Sequence, residues 1–136
     1  MQRTGKCLCG AVTFTADIQP KISACHCGMC RKWTGGVFLT TFGKNIRFEG
    51  EDAIKTYKSS DWAERGFCSR CGSSLFYRIT LEGRNQGATA LAVGALDDPS
   101  GLPLDEEVCI DRKPDGYAFA GEHKQLTEAE MFALFS

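Results

Sequence analysis

No stretch of this sequence stays apolar for the roughly 20 residues that a membrane-crossing helix needs. The longest apolar-leaning run, Ala88 to Leu96, falls far short. The N-terminal residues Met1 to Cys7 contain no apolar segment of the roughly 7–15 residues that a secretory signal uses, so the expected location is cytoplasmic. An excess of positive charge is also missing. Sixteen Lys and Arg stand against 17 Asp and Glu, a formal net charge of -1, and no basic cluster is denser than Arg31-Lys32. Phosphate backbones are bound through dense basic surfaces, so neither nucleic acid nor a membrane is an expected partner. Repeats, low-complexity tracts and linkers are absent, and 136 residues suit one domain, 1–136. Proline is scarce, four residues against 15 glycines, which favours turns and strands.

Helical periodicity is scarce as well. In Ala11 to Thr15, Val12 and Phe14 fall on one face, as in a half-buried strand. Similar strands are predicted at Val37 to Phe42, Ile46 to Phe48, Ile54 to Lys58, Leu75 to Thr80, Thr89 to Gly94, Val108 to Arg112 and Tyr117 to Ala120. Gly- and Pro-containing segments such as Gly35-Gly36, Gly43 and Pro114-Asp115-Gly116 punctuate them as turns. Short strands with frequent turns predict a mainly β fold of antiparallel sheets rather than alternating βα units. One helical turn is expected over Met29 to Trp33. A short C-terminal helix is expected to run to Phe135, opened by the capping box Thr127-Glu128-Ala129-Glu130. Met131, Leu134 and Phe135 would form its apolar face, with packing as its role.

Against these absences stand eight cysteines. In a reducing compartment clustered thiols bind metal more often than they pair as disulfides. Seven of the eight fall into three clusters: Cys7-Leu8-Cys9-Gly10, Cys25-His26-Cys27-Gly28-Met29-Cys30 and Cys68-Ser69-Arg70-Cys71-Gly72. Two thiols one residue apart rarely meet disulfide geometry, because alternate side chains point apart, yet both can reach one metal ion. The Gly after the second Cys of each cluster fits a tight knuckle, sometimes with positive φ, whose amides can face thiolate sulfurs. Zinc is the expected metal. A thioredoxin-like role for Cys68-Ser69-Arg70-Cys71 lacks the βαβ context it would need.

Seven thiols are one short of two four-thiolate zinc sites. A structural zinc takes four protein ligands, whereas a zinc that does chemistry keeps one tetrahedral position open. One economical partition joins Cys7, Cys9, Cys68 and Cys71 into a closed site and leaves Cys25, Cys27 and Cys30 as a three-thiolate site. The first would close a long loop and make zinc binding part of the folding free energy. Spacing leaves rivals open. The middle cluster can instead pair with Cys68 and Cys71, and His26 or Cys109 can supply a fourth ligand. His26, between two candidate ligands, would need a very tight chelate and is read as supporting a ligand or exposed. Cys109, in a predicted strand beside Val108 and Ile110, reads as a small buried hydrophobe, and His123 as a surface residue.

In chain order, Gly5-Lys6-Cys7-Leu8-Cys9-Gly10-Ala11-Val12, then Cys25-His26-Cys27-Gly28-Met29-Cys30-Arg31-Lys32-Trp33-Thr34-Gly35, then Arg65-Gly66-Phe67-Cys68-Ser69-Arg70-Cys71-Gly72-Ser73-Ser74-Leu75-Phe76, with a later Gly94-Ala95-Leu96-Asp97-Asp98-Pro99, carry a resemblance. Together they resemble the glutathione-dependent formaldehyde-activating enzyme family, also called the CENP-V/GFA domain. The resemblance covers about residues 3–115 and leaves 116–136 as a C-terminal extension with the short helix. It implies coiled antiparallel β-sheets of the β-tent type, a structural zinc on Cys7, Cys9, Cys68 and Cys71, and a second, catalytic zinc on Cys25, Cys27 and Cys30. The implied activity is condensation of glutathione with formaldehyde to S-(hydroxymethyl)glutathione, classed as a carbon-sulfur lyase. Members commonly place a His in the strand before an Asp-Ser-Lys-Pro type segment. Here that stretch reads Glu107-Val108-Cys109-Ile110-Asp111-Arg112-Lys113-Pro114, and the residues from Tyr117 lack the Trp that many members show.

Three thiolates make a zinc ion a weaker Lewis acid than three His would, so the open site suits a fourth thiol better than an activated water. A coordinated thiol is held as thiolate at neutral pH, where a free thiol of pKa about 8.5 is mostly protonated. Addition of that thiol, glutathione or similar, to a small aldehyde is the expected reaction. Three thiolates on a divalent ion leave a net charge of about -1, which calls for nearby cations. Arg31 and Lys32 follow the cluster and Arg65 and Arg70 flank the CxxC pair; taken singly, each reads first as solvated surface. Trp33 is a candidate substrate contact or a packing residue. The competing functions are a non-catalytic zinc or thiol carrier and a zinc-ribbon-like interaction module.

Overall fold

Alternation becomes sheet most plainly in β2 (Thr13–Ile18), where Phe14, Ala16 and Ile18 are buried and the residues between them are not. The computed structural model describes residues 1–134, and among these ten strands join in one sheet. The others are β1 (Gln2–Lys6), β3 (Ile22–Cys25), β4 (Phe38–Glu49), β5 (Ile54–Lys58), β6 (Ala63–Cys68), β7 (Ser74–Ile79), β8 (Thr89–Ala92), β9 (Leu104–Val108) and β10 (Lys124–Leu126). Two short helices, α1 (Gly28–Thr34) and α2 (Glu128–Leu134), complete the regular structure. The fold is mainly β with a short C-terminal helix, as the sequence leads one to expect.

The strand order is β10-β9-β3-β4-β8-β7-β6-β5, with β1 paired to β2 and β2 to β4. Strand β4 organises it. Residues Thr40 to Gly43 pair with β8 on one edge, while β3 and then β2 occupy the other edge along its length. The two strands predicted at Val37 to Phe42 and Ile46 to Phe48 are therefore one. The turn signal between them is a bulge: the β2–β4 register shifts between Thr15 and Asp17, and Asn45 sits at φ 51 with its amide donating to Asp17 at 2.9 Å. Two pairings depart from the antiparallel expectation, since β9 runs parallel to both β3 and β10. Pairing direction follows from how distant segments meet, and local alternation carries no record of it.

Strands β1, β3, β6 and β10 are additions to the sequence reading, Tyr117 to Ala120 forms no strand, and the strand expected at Val108 to Arg112 lies earlier, at Leu104–Val108, because the left-handed Cys109 ends it and Ile110–Arg112 form a helical turn. Strand β6 escapes a hydropathy pattern because its inward positions include Arg65 and Gly66. The core gathers around Phe14, Phe48 and Phe76, whose rings lie 5.8 and 5.5 Å apart in succession, with Val12, Leu75 and Leu91 fully buried beside them.

The capping box forms reciprocally: the Glu130 amide donates to the Thr127 hydroxyl at 3.1 Å, and the Thr127 amide to the Glu130 carboxylate at 3.0 Å. The expected apolar packing of α2 does not follow. Leu134 is 61% exposed, no described residue of the helix is buried, and Phe135 lies outside the described residues. Polar contacts dock the helix instead, from its first amide to Asp111 and from Glu128 to Arg112, with Phe132 set edge-on to Trp62. Among the described residues no helix is long and apolar enough to cross a membrane.

Candidate functional site

The first cysteine cluster closes two hairpin-like ends onto each other. Cys7 and Cys9 follow β1, Cys68 ends β6, and Cys71 lies in the turn before β7. All four sulfurs lie within 4.8 Å of one another, with Cys7 to Cys9 at 3.6 Å and Cys9 to Cys68 at 3.8 Å. A tetrahedral zinc with bonds of about 2.3 Å places its sulfurs about 3.8 Å apart, so this donor set fits the ion. Gly10 and Gly72 sit at φ 80 and 79, the left-handed turn that glycine allows at no steric cost, and fold each Cys pair back on itself. The Val12 amide donates to Cys7 sulfur at 3.3 Å. Hydrogen bonds from the Ser73 hydroxyl and amide hold Cys71 at a pKa of about 5. The third glycine differs: Gly28 opens α1 and is not left-handed.

The second cluster joins the end of β3 to the start of α1. Cys25 is the last residue of β3, Cys27 is the N-cap of α1 and accepts the Cys30 amide at 3.3 Å, and Cys30 sits in the first turn. The three sulfurs also lie within 4.8 Å of one another, and among the described residues no fourth ligand joins them. Cys109 comes near, against Cys25, but lies outside that set. It is fully buried as expected, yet just beyond β9 rather than inside a strand, at φ 57. Thiols this close ionise unequally. Hydrogen bonds from Cys25 and Cys30, aided by the Arg65 charge, pull Cys27 down to about 2, whereas Cys25 and Cys27 push Cys30 up.

The basic candidates separate. Arg31, Lys32 and Arg70 are exposed, as solvated surface would be. Arg65 is not surface: it is 2% exposed, and its Nη1 donates to the Cys30 sulfur at 3.5 Å. Its guanidinium lies over the rings of Trp33 and Tyr77, at 5.2 and 5.1 Å, and its Nε donates to the Ser59 hydroxyl at 3.1 Å. Trp33 is half-buried and meets Phe38 edge-on at 5.3 Å, the packing alternative for that residue. Hydropathy in β6 gave no signal for an inward arginine, because Arg65 and Gly66 take the inward positions an apolar residue would mark.

Behind the second cluster lies a buried carboxylate that sequence reasoning did not assign. Glu107 of β9 is 1% exposed and accepts from His26 Nε2 at 2.8 Å, from His123 Nε2 at 2.5 Å and from Gln125 at 3.1 Å. His26, also buried, takes the Tyr117 hydroxyl on its other nitrogen at 3.1 Å. An ionised carboxylate only accepts, so His26 carries its proton on Nε2 and the Tyr117 hydroxyl donates to Nδ1. Burial alone would raise the Glu107 carboxyl, but the three hydrogen bonds outweigh it and hold it below the usual carboxylate range. His123 is thus not the surface residue expected from its polar neighbours: its side chain is only 4% exposed. Strand β10 pairing with β9 brings His123 and Gln125 to Glu107, so the C-terminal segment braces the loop that carries Cys25 and Cys27.

Sequence comparison agrees with this arrangement. Residues 2–112 match the family described as glutathione-dependent formaldehyde-activating enzyme. A Schizosaccharomyces pombe protein named as an uncharacterized lyase is 37% identical over 130 residues, covering 93% of this chain and 92% of its own length. A Halomonas elongata protein named as a putative glutathione-dependent formaldehyde-activating enzyme is 32% identical over 84 residues, about half of each chain at 53%. With the match spanning both cysteine clusters and all strands but β10, the chain belongs to the glutathione-dependent formaldehyde-activating enzyme family.

Proposed function

We propose that this chain is a lyase-type enzyme that joins a thiol, glutathione or a close analogue, to a small aldehyde such as formaldehyde. The observation that carries this reading is the unequal division of the cysteines: four sulfurs gather at one site and three at the other. A zinc ion held by Cys25, Cys27 and Cys30 would offer one position to a substrate thiol and keep that thiol in its deprotonated, nucleophilic form.

The remaining work falls to the chain. Cys25 and Cys27 are fixed by β3 and the α1 cap, and Glu107 fixes the intervening loop through His26. Arg65, held between Trp33 and Tyr77, meets the cluster at Cys30, which would limit water there and set the direction from which an aldehyde can approach. Exposed Arg31 and Lys32 on α1 are the candidates to meet the carboxylates of glutathione. In the reaction a sulfur–carbon bond forms, the carbonyl π pair moves to oxygen, and the proton lost by the thiol ends on that oxygen. No oxidant or reductant is consumed.

The test combines metal analysis of the purified protein with a thiol–aldehyde adduct assay. Two zinc per chain and adduct formation faster than the spontaneous reaction are expected. One tightly bound zinc with no acceleration would refute the enzymatic reading. Two zinc and thiol binding without turnover would favour a carrier.

A further inference from the structure

A guanidinium removed from water is strongly disfavoured unless an opposite charge and hydrogen bonds meet it. Arg65 is removed from water, and among the described residues no carboxylate pairs with it. The ion pairs present involve Arg3, Lys21, His26, Arg78, Arg112 and His123, and its neighbour Glu64 is engaged by Arg78. Its Nη1 donates instead to the sulfur of Cys30 at 3.5 Å, a group that is anionic when the cluster holds a divalent ion. The cluster has the complementary need, because three thiolates on a divalent ion carry an excess of about one negative charge. A fourth, anionic ligand would raise that excess to about two without a nearby cation.

We propose that Arg65 is the fixed counter-cation of the Cys25, Cys27 and Cys30 cluster, a positioning residue that sets the cluster's metal affinity and its preference for an anionic over a neutral fourth ligand. This rests on reading the cluster as a zinc site that takes a thiolate. Its placement is built rather than incidental: Ser59 holds Nε, and Trp33 and Tyr77 flank the planar group. A guanidinium can stack on rings and still donate in its own plane, which an ammonium cannot do, so Arg suits this position better than Lys.

The experiment compares the full-length wild type with Arg65→Met and Arg65→Lys. Zinc affinity is measured by chelator competition, resolved for the two clusters. Fourth-ligand affinity is measured on the cobalt(II)-substituted protein with 2-mercaptoethanol as the anionic probe and imidazole as the neutral one, both read from the cobalt absorption spectrum. In Arg65→Met, zinc at the three-thiolate cluster is expected to bind about 10–100-fold more weakly, with the four-thiolate cluster unchanged. The thiol probe should lose about tenfold more affinity than imidazole, and Arg65→Lys should recover part of both losses. Wild-type zinc affinity in Arg65→Met, equal losses for the two probes, or no difference between the Lys and Met variants would each overturn the proposal. If Arg65→Met does not fold, Ser59→Ala, which removes only the Nε partner, should produce the same ordering at smaller size, and unchanged affinities there would overturn it equally. None of these readouts needs turnover. Arg65-dependent thiol binding in a wild type that does not accelerate adduct formation would sink the enzymatic reading and leave this one standing.

Discussion

Replacing Glu107 by Gln tests the brace behind the loop carrying Cys25 and Cys27 with little change of shape. The carboxylate accepts three hydrogen bonds, one on Oε1 and two on Oε2. Gln offers one acceptor oxygen, which belongs where two donors meet, facing His123 and Gln125. Its NH2 then faces His26 Nε2, which must become an acceptor, so the His26 proton moves to Nδ1 and the Tyr117 hydroxyl must turn from donor to acceptor. Every group can still be paired, but three bonds lose their charge assistance. At about 1 kcal/mol each, the difference between charged and neutral hydrogen bonds, the cost is roughly 2–3 kcal/mol. For a chain of this size that lowers Tm by roughly 6–12 °C. Glu107→Ala leaves both histidines without their partner and opens a void, and should cost about 3–5 kcal/mol. The assay is thermal unfolding followed by circular dichroism at fixed zinc, repeated across pH. Glu107 is held below the usual carboxylate range in the fold, so its contribution is complete above the unfolded value of about 4.3 and lost as pH falls through the lower folded value. The gap between wild type and Glu107→Gln should therefore narrow in acid. A Glu107→Gln protein that melts within about 1 °C of wild type near neutral pH, or a gap that widens on acidification, would refute the reasoning.

Removing ligands should divide the two clusters. Cys68→Ser takes one of four sulfurs joining β1 to β6 and is expected to unfold the chain, whereas Cys27→Ser is expected to stay folded and lose one zinc; far-ultraviolet circular dichroism with metal analysis checks both, and equal behaviour would contradict the division. A chelator added in steps should empty the three-thiolate cluster first, with unfolding only as the second zinc leaves, followed by zinc release and circular dichroism together. Gly66→Ala would place its Cβ 2.2 Å from Cζ of the buried Phe76 ring, an overpacking that costs roughly 1–3 kcal/mol and shows as a lower denaturation midpoint. Thr127→Ala removes the hydroxyl that caps α2 at 3.1 Å and should cost about 1 kcal/mol, read as faster amide exchange in the helix.

Much of the fold was legible because its signals are local. The alternation of Phe14 with Ala16 and Ile18, the capping box at Thr127 and Glu130, and the Gly after Cys9 and after Cys71 each state a backbone geometry within a few residues. Where a local signal had two outcomes, neighbours decided. Gly43 read as a turn, but the chain stays in one strand with a bulge beside it, because β8 pairs β4 up to Gly43 and β2 pairs it from Gly43 onward. The glycine after Cys27 read as a knuckle and became the first residue of a helix, because the Cys27 sulfur caps it.

For the site, the sequence by itself determined the chemistry available: seven clustered thiols in three motifs, an uneven number for two four-ligand sites. Only the tertiary structure decided what meets those thiols. Arg65, His26, Glu107 and His123 are charged or polar residues that a hydropathy pattern assigns to solvent, and their burial depends on partners 16 to 91 residues away. A buried charge is tolerated only where an opposite charge or several hydrogen bonds wait for it, and that compensation is created by the pairing of β3, β9 and β10 and by the packing of β6 against α1.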